Sequence, residues 1–230
     1  MKGILIFAAL VLSGMISSGQ TVIHQSLKNK LDTILIMDQG IREYIVGNPT
    51  ETRKDTISKL LKIPRDSLDR NGWGIMNSID KMNLAKVEKI IAHYGYPGKS
   101  LVGEPTNTAV FFVIQHSDKI PFYLPLIKKA AETKELPFRY YAMMLDRKLA
   151  GEGKEQVYGT QVFSQQITDP GTGEKKMFDY VVPVRDPKNV NKRRKDAGFD
   201  STIEENALRL GVTYKPYTYD EIYKITGQKK

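Results

Sequence analysis

The chain of 230 residues has no cysteine, three histidines and one tryptophan. Without thiols there are no disulfides, no thiolate metal sites and no cysteine to carry a lipid. With so few histidines, a metal site would have to combine His93 and His116 with carboxylates such as Asp118 or Asp146. No HExxH or comparable spacing supports one, so neither metal nor cofactor is expected. Two other signatures are missing: Gly151-Glu152-Gly153-Lys154 lacks the Walker spacing, and no serine sits in a G-x-S-x-G elbow.

Long apolar runs are equally scarce, and the one that exists lies at the start. Lys2 supplies a short positive region, Ile4 to Ile16 is apolar, and Ser17-Ser18-Gly19 provides small residues. This is the pattern of a secretory signal over residues 1–19 with cleavage before Gln20, leaving 230 − 19 = 211 residues. A run of thirteen residues is too short to span a bilayer, which takes roughly twenty. The expectation is a periplasmic or secreted protein with no integral span after cleavage.

What remains is 40% hydrophobic and 27% charged, enough to bury a core and to predict one globular domain over residues 20–230. The formal charge of +9 falls to +8 when Lys2 is removed. Six of the basic residues lie in Arg185–Lys195 beside a single Asp. Such a run reads as a solvated helix face, or as an attractor of phosphates, anionic glycans or a membrane surface. Export and the absence of interleaved aromatics argue against nucleic acid.

Periodicity predicts a mainly α protein, a single helical domain with one small β-hairpin (α+β). Residues 26–46 form an amphipathic helix with Leu27, Leu31, Ile34, Leu35, Ile41 and Ile45 on one stripe. Residues 49–80 read as polar and turn-rich, with a short helix from Thr50 to Leu61 and a turn signal at Asn71-Gly72. Further helices are expected over 83–94, 121–133, 137–150, 187–197 and 202–210. Ala109–Ile114 suits a buried helix or a buried strand. Gln156–Phe163 and Met177–Val184 should pair as a hairpin around Asp169-Pro170-Gly171-Thr172-Gly173.

Polar residues set into these apolar patterns mark a candidate site, because a buried polar group is costly unless paired. Asp38 falls near the centre of the first stripe, with Arg42 one turn later. His116, after Gln115, shares a helix side with Ala109, Phe112 and Val113, and Asp118 follows within reach of its imidazole or of the next helix. A histidine held by a carboxylate is a general base. Asp146 and Arg147 point about 100° apart on their helix and need separate partners, for which Arg42 and Asp38 are candidates. Tyr158-Gly159-Thr160-Gln161 would place Tyr158 and Thr160 on one face of a strand. The expected catalytic residues are therefore His116, Asp118 and Asp146. The expected ligand-binding residues are Asp38, Gln39, Arg42, Gln115, Arg147, Tyr158, Thr160 and Gln161.

Taken in order, Asp38-Gln39 with Arg42, Tyr94-Gly95-Tyr96-Pro97, Gln115-His116-Ser117-Asp118, Asp146-Arg147 and Tyr158-Gly159-Thr160-Gln161 carry a resemblance. Together with Leu101-Val102-Gly103 and Lys192-Arg193-Arg194, they resemble a bacterial family known only as a domain of unknown function. Its motifs are DQxxR, HGxP, QHxD, DR and YGTQ. The resemblance covers a motif-bearing core of about residues 31–198. Tyr94 stands where the family has His, with His93 before it. The resemblance implies a shared polar site and no particular chemistry. Three readings follow: an exported hydrolase with His116 as base, a non-catalytic domain binding a small or anionic ligand, or a polar core that only fixes packing. The oligomeric state is left open.

Overall fold

The computed structural model describes residues 22–169 and 171–227, so the expected signal segment 1–19 lies outside the described residues. The fold is mainly helical with one two-stranded hairpin. Helix α1 (Gln25–Val46) is the spine. It buries Leu27, Leu31, Ile34, Asp38, Ile41 and Tyr44, so an aspartate occupies one position of an otherwise apolar seam. Each fully buried Leu or Ile in such a seam contributes about 1.5–3 kcal/mol. Helix α2 (Glu51–Leu61) starts at Thr50, whose hydroxyl accepts the Arg53 N–H.

Helix α3 (Arg65–Tyr94) corrects the turn-rich reading of residues 49–80. The Asn71-Gly72 signal marks a kink inside a 30-residue helix, where Asn71 alone leaves helical geometry (φ −143°, ψ 34°). Gly72 is buried because α1 passes over it. A Cβ there would lie 3.1 Å from Ile45 Cγ1, so the glycine serves close packing rather than a turn.

A short helix α4 (Lys99–Val102) and a 3-10 turn lead into α5 (Ala109–Gln115), which settles the apolar run as helix. Buried on nearly all sides, α5 is the centre of the main core, with Phe111 and Ile114 at 0% exposure. Helices α6 (Ile120–Glu132) and α7 (Phe138–Gly151) pack beside it, and Tyr140 of α7 lies 4.8 Å from the Phe111 ring. A second apolar cluster joins Ile41 and Tyr44 to Ile57, Leu61, Leu68 and Ile79 across α1, α2 and α3.

Both strands of the hairpin lie closer to its turn than the alternation predicts, the first starting later and the second ending earlier. Strands β1 (Val162–Thr168) and β2 (Lys175–Val181) pair antiparallel, with Phe163 opposite Tyr180 and Thr168 opposite Lys175. Residues 156–161 are not in a strand, which removes the shared face expected of Tyr158 and Thr160. They form a loop joined to the chain after β2 by a single parallel bridge, Gln156 to Val184. Helices α8 (Val190–Asp196), α9 (Ile203–Arg209) and α10 (Tyr219–Thr226) close the C-terminal part. Both α9 and α10 open with a complete capping box, at Thr202/Glu205 and Thr218/Glu221. The second opens α10, which lies beyond the last helix that the periodicity predicts. No helix among the described residues is long and apolar enough to cross a membrane.

Candidate functional site

Two buried carboxylates organise the polar residues, and they lie in different surroundings. Asp38, 1% exposed, sits where the two larger apolar clusters meet on α1. Its Oδ2 accepts the Gln39 amide at 2.6 Å, and its Oδ1 accepts Arg42 at 3.2 Å. The same Oδ1 lies 3.3 Å from His116 Nδ1, at the C-terminal end of α5. A carboxylate only accepts, so a proton resides on Nδ1 facing it, and in the neutral imidazole this tautomer leaves the lone pair on Nε2. Arg42 is held in turn by Asp80 of α3, whose two oxygens each accept from Nη2 at 2.8 Å. The Asp38 charge is thereby matched by three donors, which is what allows it inside the seam.

Asp118 does not orient the imidazole. It is exposed, just beyond α5, and Asp38 takes that place from 78 residues away. Ser117 is also committed: its Oγ donates to the Ile114 carbonyl at 2.8 Å and accepts the Lys119 N–H at 3.1 Å.

Asp146, at 0% exposure, forms the second centre. Its Oδ1 accepts the N–H groups of Val157 (2.8 Å) and Tyr158 (3.1 Å). Its Oδ2 accepts the N–H and the hydroxyl of Thr160, both at 3.0 Å. Burial pushes this carboxyl above the usual range, while the four donor groups pull it back. The expected tie from Asp146 to α1 is therefore absent. This aspartate is spent on the 156–161 loop and touches neither Arg42 nor His116.

The loop is gripped from its other side as well. Gln156, fully buried, donates to the carbonyls of Gln161 (3.0 Å) and Val182 (2.9 Å) and accepts the Gln161 N–H at 2.7 Å. The Gln161 side chain donates to Thr160 Oγ at 3.0 Å. Gly159 has φ +69°, and a Cβ there would fall 2.1 Å from Ile203 Cδ1, so only glycine fits.

Two arginines of the basic run complete the clamp. Arg193 Nε donates to the Val157 carbonyl and Arg194 Nη1 to the Tyr158 carbonyl, both at 2.9 Å. Arg194 is 1% exposed, bonds also to Ser201, and lies 4.5 Å from the centre of the Phe199 ring. The solvated-face reading of Arg185–Lys195 thus fails at these two residues, because their guanidinium groups satisfy loop carbonyls. It describes Lys192 and Lys195, which are exposed.

Arg147, next to Asp146, leaves α7 in another direction and meets a different fate. It makes no hydrogen bond or ion pair among the described residues. Its side chain reaches solvent, yet surrounding atoms desolvate the guanidinium, and this, followed by the charge of Arg42, pulls its pKa down. Gln115 is 8% exposed, and its amide has no hydrogen-bond partner among the described residues. Tyr158 points elsewhere, into a surface cavity of about 280 Å³ lined with Phe138, Arg193, Asp196 and Ala197.

Of the residues expected to bind or react, Asp38, Gln39, Arg42 and His116 are in contact. Arg147 is near enough to Arg42 for their charges to interact, and Gln115 adjoins His116. Asp146, Thr160 and Gln161 form the separate loop anchor, and Tyr158 contributes its backbone to that anchor. Sequence reasoning missed Asp80, hidden in the segment read as turns, and Gln156 and Arg194, whose roles depend on backbone carbonyls that no side-chain pattern announces. No three His, Asp or Glu side chains among the described residues are arranged to hold a metal ion.

Fold and site define a mainly helical protein built on two buried aspartates, one paired with a histidine and an arginine, the other locking a loop. The chain belongs to a family of unknown function, DUF6624, whose model matches residues 27–215. No curated protein and no solved structure is found to match it. Membership supplies no activity, substrate or cofactor.

Proposed function

We propose that the Asp38–His116 pair is an acid–base centre that promotes hydrolysis in an exported protein. The observation that carries this reading is the 3.3 Å approach of His116 Nδ1 to a carboxylate that is 1% exposed. In this role Asp38 holds the tautomer and the orientation, and His116 Nε2 takes a proton from the attacking water and returns it to the leaving group. Arg42, fixed between Asp38 and Asp80, keeps the carboxylate in place. Ser117 is excluded as nucleophile by its own hydrogen bonds, so water is the attacking group. Asp146 shapes the neighbouring loop and takes no part in the proton transfer.

The test is turnover on a panel of ester and amide substrates by the wild type, His116→Ala and Asp38→Asn, with circular dichroism as the control for folding. Both variants should lose about 10²–10⁴-fold in rate, the usual share of a general base. A His116→Ala variant that folds and turns over substrate like the wild type ends the proposal.

The pattern of Lys2, the apolar run and Ser17-Ser18-Gly19 supports export to the periplasm or the medium. Mass spectrometry of the exported protein should find Gln20 at the amino terminus. A chain that keeps Met1 and stays in the cytoplasm would contradict it.

Non-catalytic binding at the same place is a second reading, favoured by Arg147, an exposed cation that pairs with no protein acceptor among the described residues. It predicts a ligand-dependent rise in melting temperature without turnover.

A further inference from the structure

We propose that the surface cavity beside Tyr158 binds one neutral sugar ring, a pyranose, stacked on Phe138 and Tyr158. It is a second site and does not rest on the acid–base reading. None of the residues that line it bonds to Asp38, Arg42 or His116.

The cavity begins with the way the chain fixes one loop. Asp146, Gln156 and Arg194, each at most 1% exposed, all bond to the backbone of residues 156–161. Burying charges adds little net stability, so what the arrangement secures is geometry. That geometry presents the Tyr158 side chain. The Tyr158 N–H is held by Asp146 and its carbonyl by Arg194, while its hydroxyl has no protein hydrogen bond among the described residues. A half-buried phenol on a locked backbone is a contact set in place before a ligand arrives.

Phe138, the first residue of α7, forms another wall of the cavity. Its ring is 36% exposed and stands edge-on, 5.3 Å from Tyr141. Tyr158 leans on Phe199 at 6.1 Å, and Arg194 covers Phe199 in turn. Each lining ring is thus braced by a further ring. Helix α8 supplies the rest of the lining with Arg193, Asp196 and Ala197.

These walls select the class of ligand. An anion meets the Asp196 carboxylate. Arg193 offers it little, since Nε and Nη2 donate to backbone carbonyls and Nη1 lies 3.4 Å from Asp186. A cation meets Arg193. A wholly apolar group would strip water from both charges and replace none of its hydrogen bonds. A pyranose suits every wall, because its C–H face packs on aromatic rings and its hydroxyls both donate and accept. Asp196 gives Oδ2 to Lys192 at 2.6 Å, which leaves Oδ1 to accept from a sugar hydroxyl. The volume of about 280 Å³ lies just under the roughly 300–1,000 Å³ of pockets for drug-sized ligands, so it holds one ring.

The experiment is an NMR titration of the intact, isotope-labelled protein with the methyl glycosides of glucose, galactose, mannose and N-acetylglucosamine. The ring signals of Phe138 and Tyr158 are followed. Cyclohexanol and inorganic phosphate serve as controls for a merely apolar and a merely anionic cavity. At least one glycoside should shift both rings saturably and bind more tightly than either control. Phe138→Ala should weaken that glycoside about tenfold through the lost stacking face. Tyr158→Phe keeps the ring and the anchored backbone, and should weaken it about threefold or more, as expected for one hydrogen bond. The proposal is overturned if no glycoside shifts either ring, or if cyclohexanol or phosphate binds more tightly. A glycoside that binds both variants like the wild type overturns it as well.

Discussion

His116 Nδ1 lies 3.3 Å from Asp38 Oδ1, and this contact joins the end of the most buried helix to the middle of the longest apolar seam. Asp38→Ala would leave Arg42 and the imidazole without their acceptor. Removing one partner of a buried ion pair costs about 3–5 kcal/mol. Urea denaturation should show a loss of this size, with Asp38→Asn less severe because the amide keeps one acceptor oxygen. A loss below about 0.5 kcal/mol, the range of ordinary surface changes, would mean that the pair does not hold the helices together.

The second aspartate has a different signature. Asp146→Ala strands three backbone N–H groups and the Thr160 hydroxyl. It should also destabilise by about 3–5 kcal/mol. Amide hydrogen exchange should rise first at Val157, Tyr158 and Thr160. Unchanged protection at those three amides would refute the anchor.

Gly159→Ala combines two penalties, a left-handed backbone at φ +69° and a Cβ 2.1 Å from Ile203 Cδ1. Together they should cost at least about 2 kcal/mol. Ile203→Ala in the same chain relieves only the second, so a double variant as stable as Ile203→Ala alone would show that the backbone conformation is not required.

Within the basic run, adjacent residues should behave oppositely. Arg194→Ala removes a buried guanidinium bonded to Tyr158 and Ser201 and should cost several kcal/mol, about the range for a buried charge network. Lys195→Ala, on the solvent side, should stay within about 0.5 kcal/mol. Paired melting curves decide it. Equal effects would return the whole run to a solvated face.

Alkaline pH offers a further check. Burial, then the charges of Tyr180 and Glu155, pushes the Tyr219 phenol up to about 12, and its hydroxyl donates to the Lys154 carbonyl at 3.0 Å. A folded pKa above the unfolded value of 10.0 means that the unfolded chain loses its proton first. The stabilisation is complete below pH 10.0, and it declines as pH rises towards about 12. Absorbance titration at alkaline pH should show a late-titrating tyrosine that Tyr219→Phe removes, together with a smaller loss of stability across that window.

The helices were legible because burial leaves a period. Leu27, Leu31, Ile34 and Ile41 repeat at helical spacing, and the aspartate among them was visible as a break in that repeat. The Asn71-Gly72 pair misled for a physical reason. Both residues favour turns locally, but α1 needed a residue without a side chain where Ile45 crosses, and tertiary packing overrode the propensity. The strand boundary slipped likewise, since Val157 to Gln161 alternates as a strand would while its amides are claimed by Asp146.

By itself the sequence determined the mainly helical class, the single hairpin and the polar residues that would need partners, because these depend on periodicity and on the cost of burying charge. Which partner each residue found was decided only by tertiary structure. Asp38 took His116 rather than leaving it to Asp118, Asp146 took a loop backbone rather than Arg42, and Arg147 stays exposed with no protein partner among the described residues. A charge in a sequence states a debt of solvation; only the chain's path through space brings the groups that settle it within hydrogen-bond reach.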